Sequence, residues 1–398
     1  MIRLFFRAKI ISSGEILTKN SLLIDDSKII FIGTKEECLD YIKDKKLNYE
    51  EVDCKNNYLS SGFIDLHCHG GGGYDFMDGD DTSIIKAAQL HLKHGTTSIY
   101  PTSMTSDNSS LFAFFDNYRK AINTNEIIPN FLGLHLEGPF FSPKQCGAQD
   151  PNIMQLPTLE NVKIIWEKGK DIIKRWSIAP ELEGGYLSGD FLASKNIHLS
   201  MGHSDATYSQ VKEAIKHGYS HVTHLYSGMS TITRKGGFRV LGLVESAYLF
   251  DQLSVELIAD GKHLPPELLQ LIIKTKDNSK ICLITDSMRG AGEAEGPSIL
   301  GNKKNGLKVF IEDGIAKTMD KTCFAGSVAT TDRLVRTMVQ QANLPIEKAV
   351  QMMSENPAKF MKIDKSKGNI KIGLDADLII FDENINIQKI YILGKEVK

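Results

Sequence analysis

Eight short apolar runs, each followed by a stretch long enough for a helix, constrain this chain more than any other feature. They span 63–67, 97–101, 131–136, 175–179, 198–201, 221–225, 254–259 and 281–285. Runs this short and this apolar read as strands buried on both faces, as in parallel sheets. The stretches between them carry helical signals. In 83–94, Ile84, Ala88 and Leu92 share one face and Gly95 ends the pattern; 209–217 ends likewise at Gly218. Eight strand–helix units close into a (β/α)8 barrel. A doubly wound open sheet is the competing α/β solution, but no G-x-G-x-x-G turn follows the first run. No solenoid-type repeat or low-complexity segment interrupts the series.

The two ends differ from this middle. Short β-type runs at 15–17, 21–24 and 29–33 surround the turn cluster Asp25-Asp26-Ser27-Lys28, and similar runs return at 373–382 and 387–393. The expected organisation is α/β: a (β/α)8 TIM-like barrel over 58–365, and a small β-sandwich domain built from both termini, 1–57 and 366–398. After the eighth strand, 307–312 and 315–318 flank Asp313-Gly314 and read as a tight hairpin. Helical patterns at 330–342 and 345–355 finish the barrel.

Charge and cysteine usage narrow the class of function. A net charge of −2 gives no electrostatic reason to bind nucleic acid or a membrane surface. The six cysteines form no C-x-x-C pair, which suits free thiols in a reducing compartment better than a disulfide framework. The N-terminal stretch is apolar but broken by Arg3, Arg7 and Lys9, unlike a secretory signal, and no run is long enough to span a bilayer. The expectation is a cytoplasmic protein.

In a barrel of this kind chemistry gathers at the C-terminal strand ends. His67 and His69 end the first run, where period-2 alternation points both the same way and Cys68 the other. His135 and Glu137 end the third, His203 the fifth, His224 the sixth and Asp286 the eighth. Imidazoles and carboxylates converging on one rim lack a packing explanation. They suit zinc or iron with a position left for water, which the metal acidifies into a nucleophile. Asp286 is placed to shuttle the proton. Other polar residues have plainer readings. His135 is either a ligand or a support behind one. His221 and His198 start their strands, away from the rim, and read as structural. His91, His94 and His217 fall on helices or their ends and read as solvated. Asp65 and Asp260 lie on strand interiors or ends; Asp65 reads as buried polar support, and Cys68 as packed against a helix.

Six stretches carry a resemblance that spans the whole chain. They are Gly62-Phe63-Ile64-Asp65-Leu66-His67-Cys68-His69-Gly70, His135-Leu136-Glu137-Gly138-Pro139-Phe140, Gly202-His203-Ser204-Asp205-Ala206-Thr207, His221-Val222-Thr223-His224-Leu225-Tyr226, Thr285-Asp286 and Ala325-Gly326-Ser327. In them the chain resembles the N-acetylglucosamine-6-phosphate deacetylases, a branch of the amidohydrolase superfamily. The resemblance implies that Glu137, His203 and His224 bind the main catalytic metal. It implies that His67 and His69 bind a second, with Glu137 reaching both. One or two divalent ions are thus implied, zinc before iron(II). Asp286 becomes the general base and then the acid. His263 matches a substrate-contacting histidine, and Ala148 with Phe324, Ala325 and Gly326 matches positions lining the sugar.

Three departures from the family pattern follow. Gln149 stands where many members carry a histidine that polarises the amide carbonyl, so a neutral amide or the second metal takes that job. Ser227-Gly228 replaces the usual Asn-Ala beside backbone amides that hold the phosphate. The phosphate arginine falls at Lys235, with Arg234 beside it; either cation neutralises a phosphate, an arginine bidentately. In family dimers this residue reaches the partner's site, so the implied assembly is a homodimer. The implied reaction deacetylates N-acetylglucosamine 6-phosphate to glucosamine 6-phosphate and acetate. The alternatives are another amide such as N-acetylgalactosamine 6-phosphate, a cyclic amide, or a barrel that has lost its chemistry.

Overall fold

The computed structural model describes Met1–Lys398. All eight strands are present: Phe63–Cys68, Thr96–Ser103, Leu134–Glu137, Ile173–Ile178, His198–Met201, Tyr219–Val222, Ser254–Leu257 and Ile281–Leu283. They pair in sequence order, every pairing parallel. The eighth returns to the first through a bridge between Cys68 and Ser287. There the Asp286 N–H donates to His67 O at 2.9 Å, and the His69 N–H to Ser287 O at 2.8 Å. The ring therefore closes through the backbone of the candidate site.

Two strands differ from expectation. The third is split into Asn130–Phe131 and Leu134–Glu137. Gly133 between them has φ 120°, and a Cβ there would meet Lys174 Cγ at 2.2 Å and Ile172 O at 2.8 Å, so the backbone breaks out of strand geometry. The sixth stops at Val222 because the chain turns left-handed at His224, φ 26°, and Tyr226, φ 78°.

Helix Asp81–Lys93 starts where the Asp80 side chain accepts from the Ser83 N–H at 2.7 Å, an N-cap. Ile84, Ala88 and Leu92 are buried as the pattern requires, and so is His91 at 0% exposure. The expectation that His91 is solvated is therefore wrong. Positions 84, 88, 91 and 92 lie on one helical stripe, and the imidazole is carried inward with its neighbours. His94 and His217 are partly exposed, facing Asp332 at 3.1 Å and Asp190 at 2.9 Å.

The termini build two sheets. One has four strands, in the order Lys28–Gly33, Ser21–Asp25, Ile2–Phe6, Tyr49–Asp53. The other has six, in which Leu378–Phe381 lies beside Tyr58–Ser61, followed by Lys9–Ser12. Alternation explains the layering. Leu378 and Ile380 pack with Phe5, Leu22 and Ile24 between the sheets, while Ile379 and Phe381 turn toward the barrel core. Tyr58–Ser61 pairs within the terminal sheet, although the sequence groups it with the barrel. A single residue, Gly62, separates it from the first barrel strand, and a Cβ there would lie 2.1 Å from Thr97 Oγ1. The hairpin Leu307–Glu312 and Ile315–Thr318 turns at Asp313-Gly314, both with positive φ, and a third strand, Gly296–Leu300, extends it. An unforeseen two-stranded arm, Thr233–Lys235 with Phe238–Val240, stands out from the body.

His198 opens its strand at the end remote from Asp286 and packs edge-on against Phe360, ring centroids 5.3 Å apart. Burial, with Lys362 and Arg175 nearby, pushes it down to about 4. Between that value and the ordinary 6.5 the unfolded chain binds more protons than the folded one, so unfolding free energy falls as pH drops through this window. His198 contributes at most about 3 kcal/mol to that loss. His198→Gln should flatten the fall in urea midpoint between pH 6.5 and 4.5; an unchanged slope would mean that His198 protonates freely in the folded state.

Candidate active site

Five strands deliver the site to one mouth of the barrel. His67 and His69 come from the end of the first, Glu137 from the third, His203 and His224 from just past the fifth and sixth, and Asp286 from just past the eighth. All six are buried. Glu137 Oε1 is the hub: it lies 3.1 Å from His203 Nε2, 2.9 Å from His224 Nε2 and 3.5 Å from His67 Nε2. Glu137 Oε2 lies 3.4 Å from His69 Nε2. Asp286 Oδ1 is 3.3 Å from His67 Nε2 and 3.1 Å from His69 Nε2. His203, His224 and Asp286 hold φ of 46°, 26° and 46°. Backbone in that region is costly for a side-chain-bearing residue and persists where the surroundings enforce it.

The donor chemistry of this cluster fits a cation. His203 Nδ1 is 2.8 Å from Gln145 O. A carbonyl only accepts, so Nδ1 carries the hydrogen and Nε2 presents a lone pair. That lone pair faces a carboxylate oxygen, another acceptor. His67 repeats the arrangement, with Nδ1 3.5 Å from Glu256 Oε2 and Nε2 among Glu137, Asp286 and His69. Acceptors at these distances repel unless a proton or a metal ion lies among them. Two sets, Glu137-His203-His224 and His67-His69-Asp286, each bring their ligand atoms within 4.8 Å of one another, matching oxygen and nitrogen donors suited to zinc or iron.

The titration behaviour says the same. Burial opposes ionisation of Glu137, yet His67, His203, His224 and His69 hold its carboxyl well below the usual range. Burial likewise works against Asp286, and His67 and His69 hold it below its ordinary value. Burial works against a charged His69, but Asp286 and Glu137 raise it well above the ordinary value. Each of these shifts favours positive charge between the carboxylates and the imidazoles.

Around this centre the sequence-picked residues sort unevenly. Ala148, Ser227, Gly228, His263, Phe324 and Gly326 line the cavity. Gln149 lines it too, but its Nε2 donates to Glu137 Oε2 at 2.6 Å, and its Oε1 accepts from the Thr105 N–H at 2.9 Å. It holds the carboxylate in place rather than standing free to polarise a carbonyl. Ala325 packs into a cluster with Met288 and Leu300 instead of facing the cavity. Arg234 and Lys235 lie on the exposed arm and do not reach the cavity of their own chain. His135 turns both nitrogens to hydroxyls, Ser177 at 2.7 Å and Thr102 at 3.3 Å, and supports His67 from beneath with ring centroids 4.6 Å apart. Asp65 accepts from the Thr285 hydroxyl at 2.6 Å and from the Thr285 N–H at 3.2 Å, as a buried support should.

Sequence reasoning missed three contributors. Met104 lines the cavity from a loop and Leu300 from the end of the strand Gly296–Leu300, and nothing in their local pattern signals it. Asp260 accepts from His263 Nδ1 at 2.9 Å and from the His263 N–H at 2.8 Å, fixing that ring. The Asp-x-x-His spacing carried that signal.

A (β/α)8 barrel with this rim is of the amidohydrolase kind, and the chain belongs to the amidohydrolase family, whose model matches residues 58–397. A protein of Lysinibacillus sphaericus named N-acetylglucosamine-6-phosphate deacetylase is 32% identical over 390 residues, covering 94% of this chain and 97% of its own. An N-acetylgalactosamine-6-phosphate deacetylase of Escherichia coli O157:H7 is 29% identical over 337 residues, covering 85% of this chain and 87% of its own. The crystal structure of N-acetylglucosamine-6-phosphate deacetylase from Pasteurella multocida superposes with a TM-score of 0.90 at 27% identity, covering 100% of this chain and 99% of that one. Within the amidohydrolases the chain's branch is that of the N-acetylglucosamine-6-phosphate deacetylases.

Metal removal tests the acceptor cluster directly. Exhaustive chelation should lower the melting temperature by several degrees, and added zinc or iron(II) should restore it, since a ligand held at about 1,000 times its Kd adds about 4 kcal/mol. A melting temperature indifferent to chelator and metal would contradict the reading.

Proposed function

We propose that this protein hydrolyses the acetamide of N-acetylglucosamine 6-phosphate, giving glucosamine 6-phosphate and acetate. The observation that carries the reading is the Asp286 carboxylate set 3.1–3.3 Å from the paired imidazoles, across the mouth from the Glu137–His203–His224 set. Glu137, His203 and His224 would hold one divalent ion, and His67 and His69 a second. Such an ion supplies Lewis-acid chemistry: it acidifies water and polarises a carbonyl. Asp286 is the proton carrier. Its carboxylate takes a proton from the attacking water as the C–O bond forms, then returns it to the amine nitrogen as the C–N bond breaks. His263, steadied by Asp260, turns its Nε2 to the sugar.

The phosphate end is read from the loop and the arm. The Ser227 N–H is taken up by His224 O, whereas the Gly228 N–H has no partner within the chain and is free for a phosphate oxygen. A Cβ at residue 228 would lie 2.7 Å from His203 Nδ1, so glycine is required there. Arg234, Lys235 and Arg239 on the arm form no ion pair, and Phe238 beside them is 79% exposed. A homodimer that seats this arm on the partner's cavity would bury Phe238 and deliver Arg234 or Lys235 to the phosphate. Zinc is the favoured ion on the nitrogen-rich ligand set, and the scatter of free cysteines favours the cytoplasm.

Acetate release from N-acetylglucosamine 6-phosphate by the metal-loaded protein is the primary test, run beside the galactosamine epimer and the unphosphorylated sugar. A kcat/KM higher for the galactosamine compound would transfer the assignment to that epimer. Asp286→Asn should cut kcat by roughly 10²–10⁴-fold while an ion is still bound by Glu137, His203 and His224; turnover near wild type would remove Asp286 from the proton path. Losing the arm cation, as Arg234→Ala or Lys235→Ala, should raise KM for the phosphorylated sugar by about tenfold or more, the scale of a lost charged hydrogen bond. Equal KM values for the variants and the parent would exclude the arm from phosphate binding.

A further inference from the structure

Behind the rim, on the core side of His67, lies a buried ion pair that the proposed reaction does not use. Glu256, in strand Ser254–Leu257, and Arg175, in strand Ile173–Ile178, are both 0% exposed and face each other. A buried pair costs about as much to desolvate as it returns, so its presence is weak as a device for stability alone. Its surroundings point to another purpose. Arg175 Nη1 donates to Leu66 O at 2.9 Å, and its Nη2 donates to Ser200 Oγ at 3.0 Å. Glu256 Oε2 accepts from the His224 N–H at 3.2 Å and lies 3.5 Å from His67 Nδ1. His221 Nε2 is 3.4 Å from the other oxygen. One carboxylate oxygen therefore touches a member of each of the two candidate ligand sets.

The outward nitrogens of the remaining imidazoles sharpen the point. His203 Nδ1 is held by Gln145 O. The Nδ1 atoms of His69 and His224 are buried and unpartnered. In the His67–His69 pair, then, Glu256 is what fixes a tautomer, and it fixes the one whose Nε2 is bare.

We propose that Glu256 is a positioning residue: its Oε2 keeps the hydrogen of His67 on Nδ1, so that Nε2 faces the cation site, and joins that ring to the backbone of His224, with Arg175 as the counter-ion. The inference rests on the metal-binding reading above and adds the determinant of the His67–His69 half. A glutamine at 256 keeps the shape but offers one oxygen and one NH2. With its oxygen drawn to Arg175, the NH2 meets His67 Nδ1 and forces the hydrogen onto Nε2, where no cation can bind.

Nitrogen-15 spectra of the zinc-loaded protein with labelled histidines read the tautomer, His67 being identified by its absence in His67→Asn. The expected result is a hydrogen on Nδ1 of His67; a hydrogen on Nε2 overturns the proposal. Zinc titration gives the second readout. Glu256→Gln should weaken by about 10–100-fold the zinc that the parent binds and His67→Asn loses. Should Glu256→Gln fail to fold, the pair Arg175→Met with Glu256→Met removes both charges together, and the same loss of zinc affinity is expected. Parental zinc affinity in either variant overturns the proposal. A folded parent that takes up no zinc, or loses none on His67→Asn, instead sinks the metal reading beneath it.

Discussion

A buried carboxylate ringed by bare imidazole nitrogens is the arrangement on which the rest of this structure turns. Glu137 Oε1 has three ring nitrogens within 3.5 Å, and two of those rings have their hydrogen drawn to the far side by Gln145 and Glu256. Such a cluster is self-repelling without positive charge at its centre. It persists only if the scaffold resists the repulsion. The barrel does this by taking each residue from a different strand end, so that no single loop can relax and carry the group away.

The scaffold also absorbs backbone strain at the same place. His203, His224 and Asp286 are all left-handed, each at a cost of order 1–3 kcal/mol. The Asp286 N–H donates to His67 O, so the hydrogen bond that closes the barrel also fixes the residue read as the proton carrier. Beneath the rim, two of the buried polar groups are tied to hydroxyls. Ser177 links His135 to Thr223 by a hydroxyl contact of 2.8 Å, and Asp65 is satisfied by Thr285. Pairing of this kind lets a barrel core hold polar side chains without losing order.

Much of this was legible along the chain because it follows from local rules. The alternation of apolar runs and helical stretches gives eight parallel strands, and strand parity puts His67 and His69 together with Cys68 opposite. Cys68 indeed turns to His91, Sγ to Nε2 at 3.2 Å. Failures came where a neighbour distant in sequence decides. His91 sits on an apolar stripe, but its polarity suggested water. Gln149 was given to the substrate, yet Glu137 already holds its amide. The two-stranded arm is too short and too polar to be read from periodicity.

By itself, the sequence determined the order of the barrel strands, the fold class and the identity of the imidazoles and carboxylates at the mouth, because period, turn chemistry and residue type are properties of short segments. The tertiary structure decided which of those groups face one another, which nitrogen of His203 and of His67 is bare, and that Glu256 and Arg175 lie behind His67. Those are matters of orientation between strands far apart in sequence, 219 residues in the Cys68–Ser287 closure, and no local pattern encodes the direction in which a distant side chain comes to point.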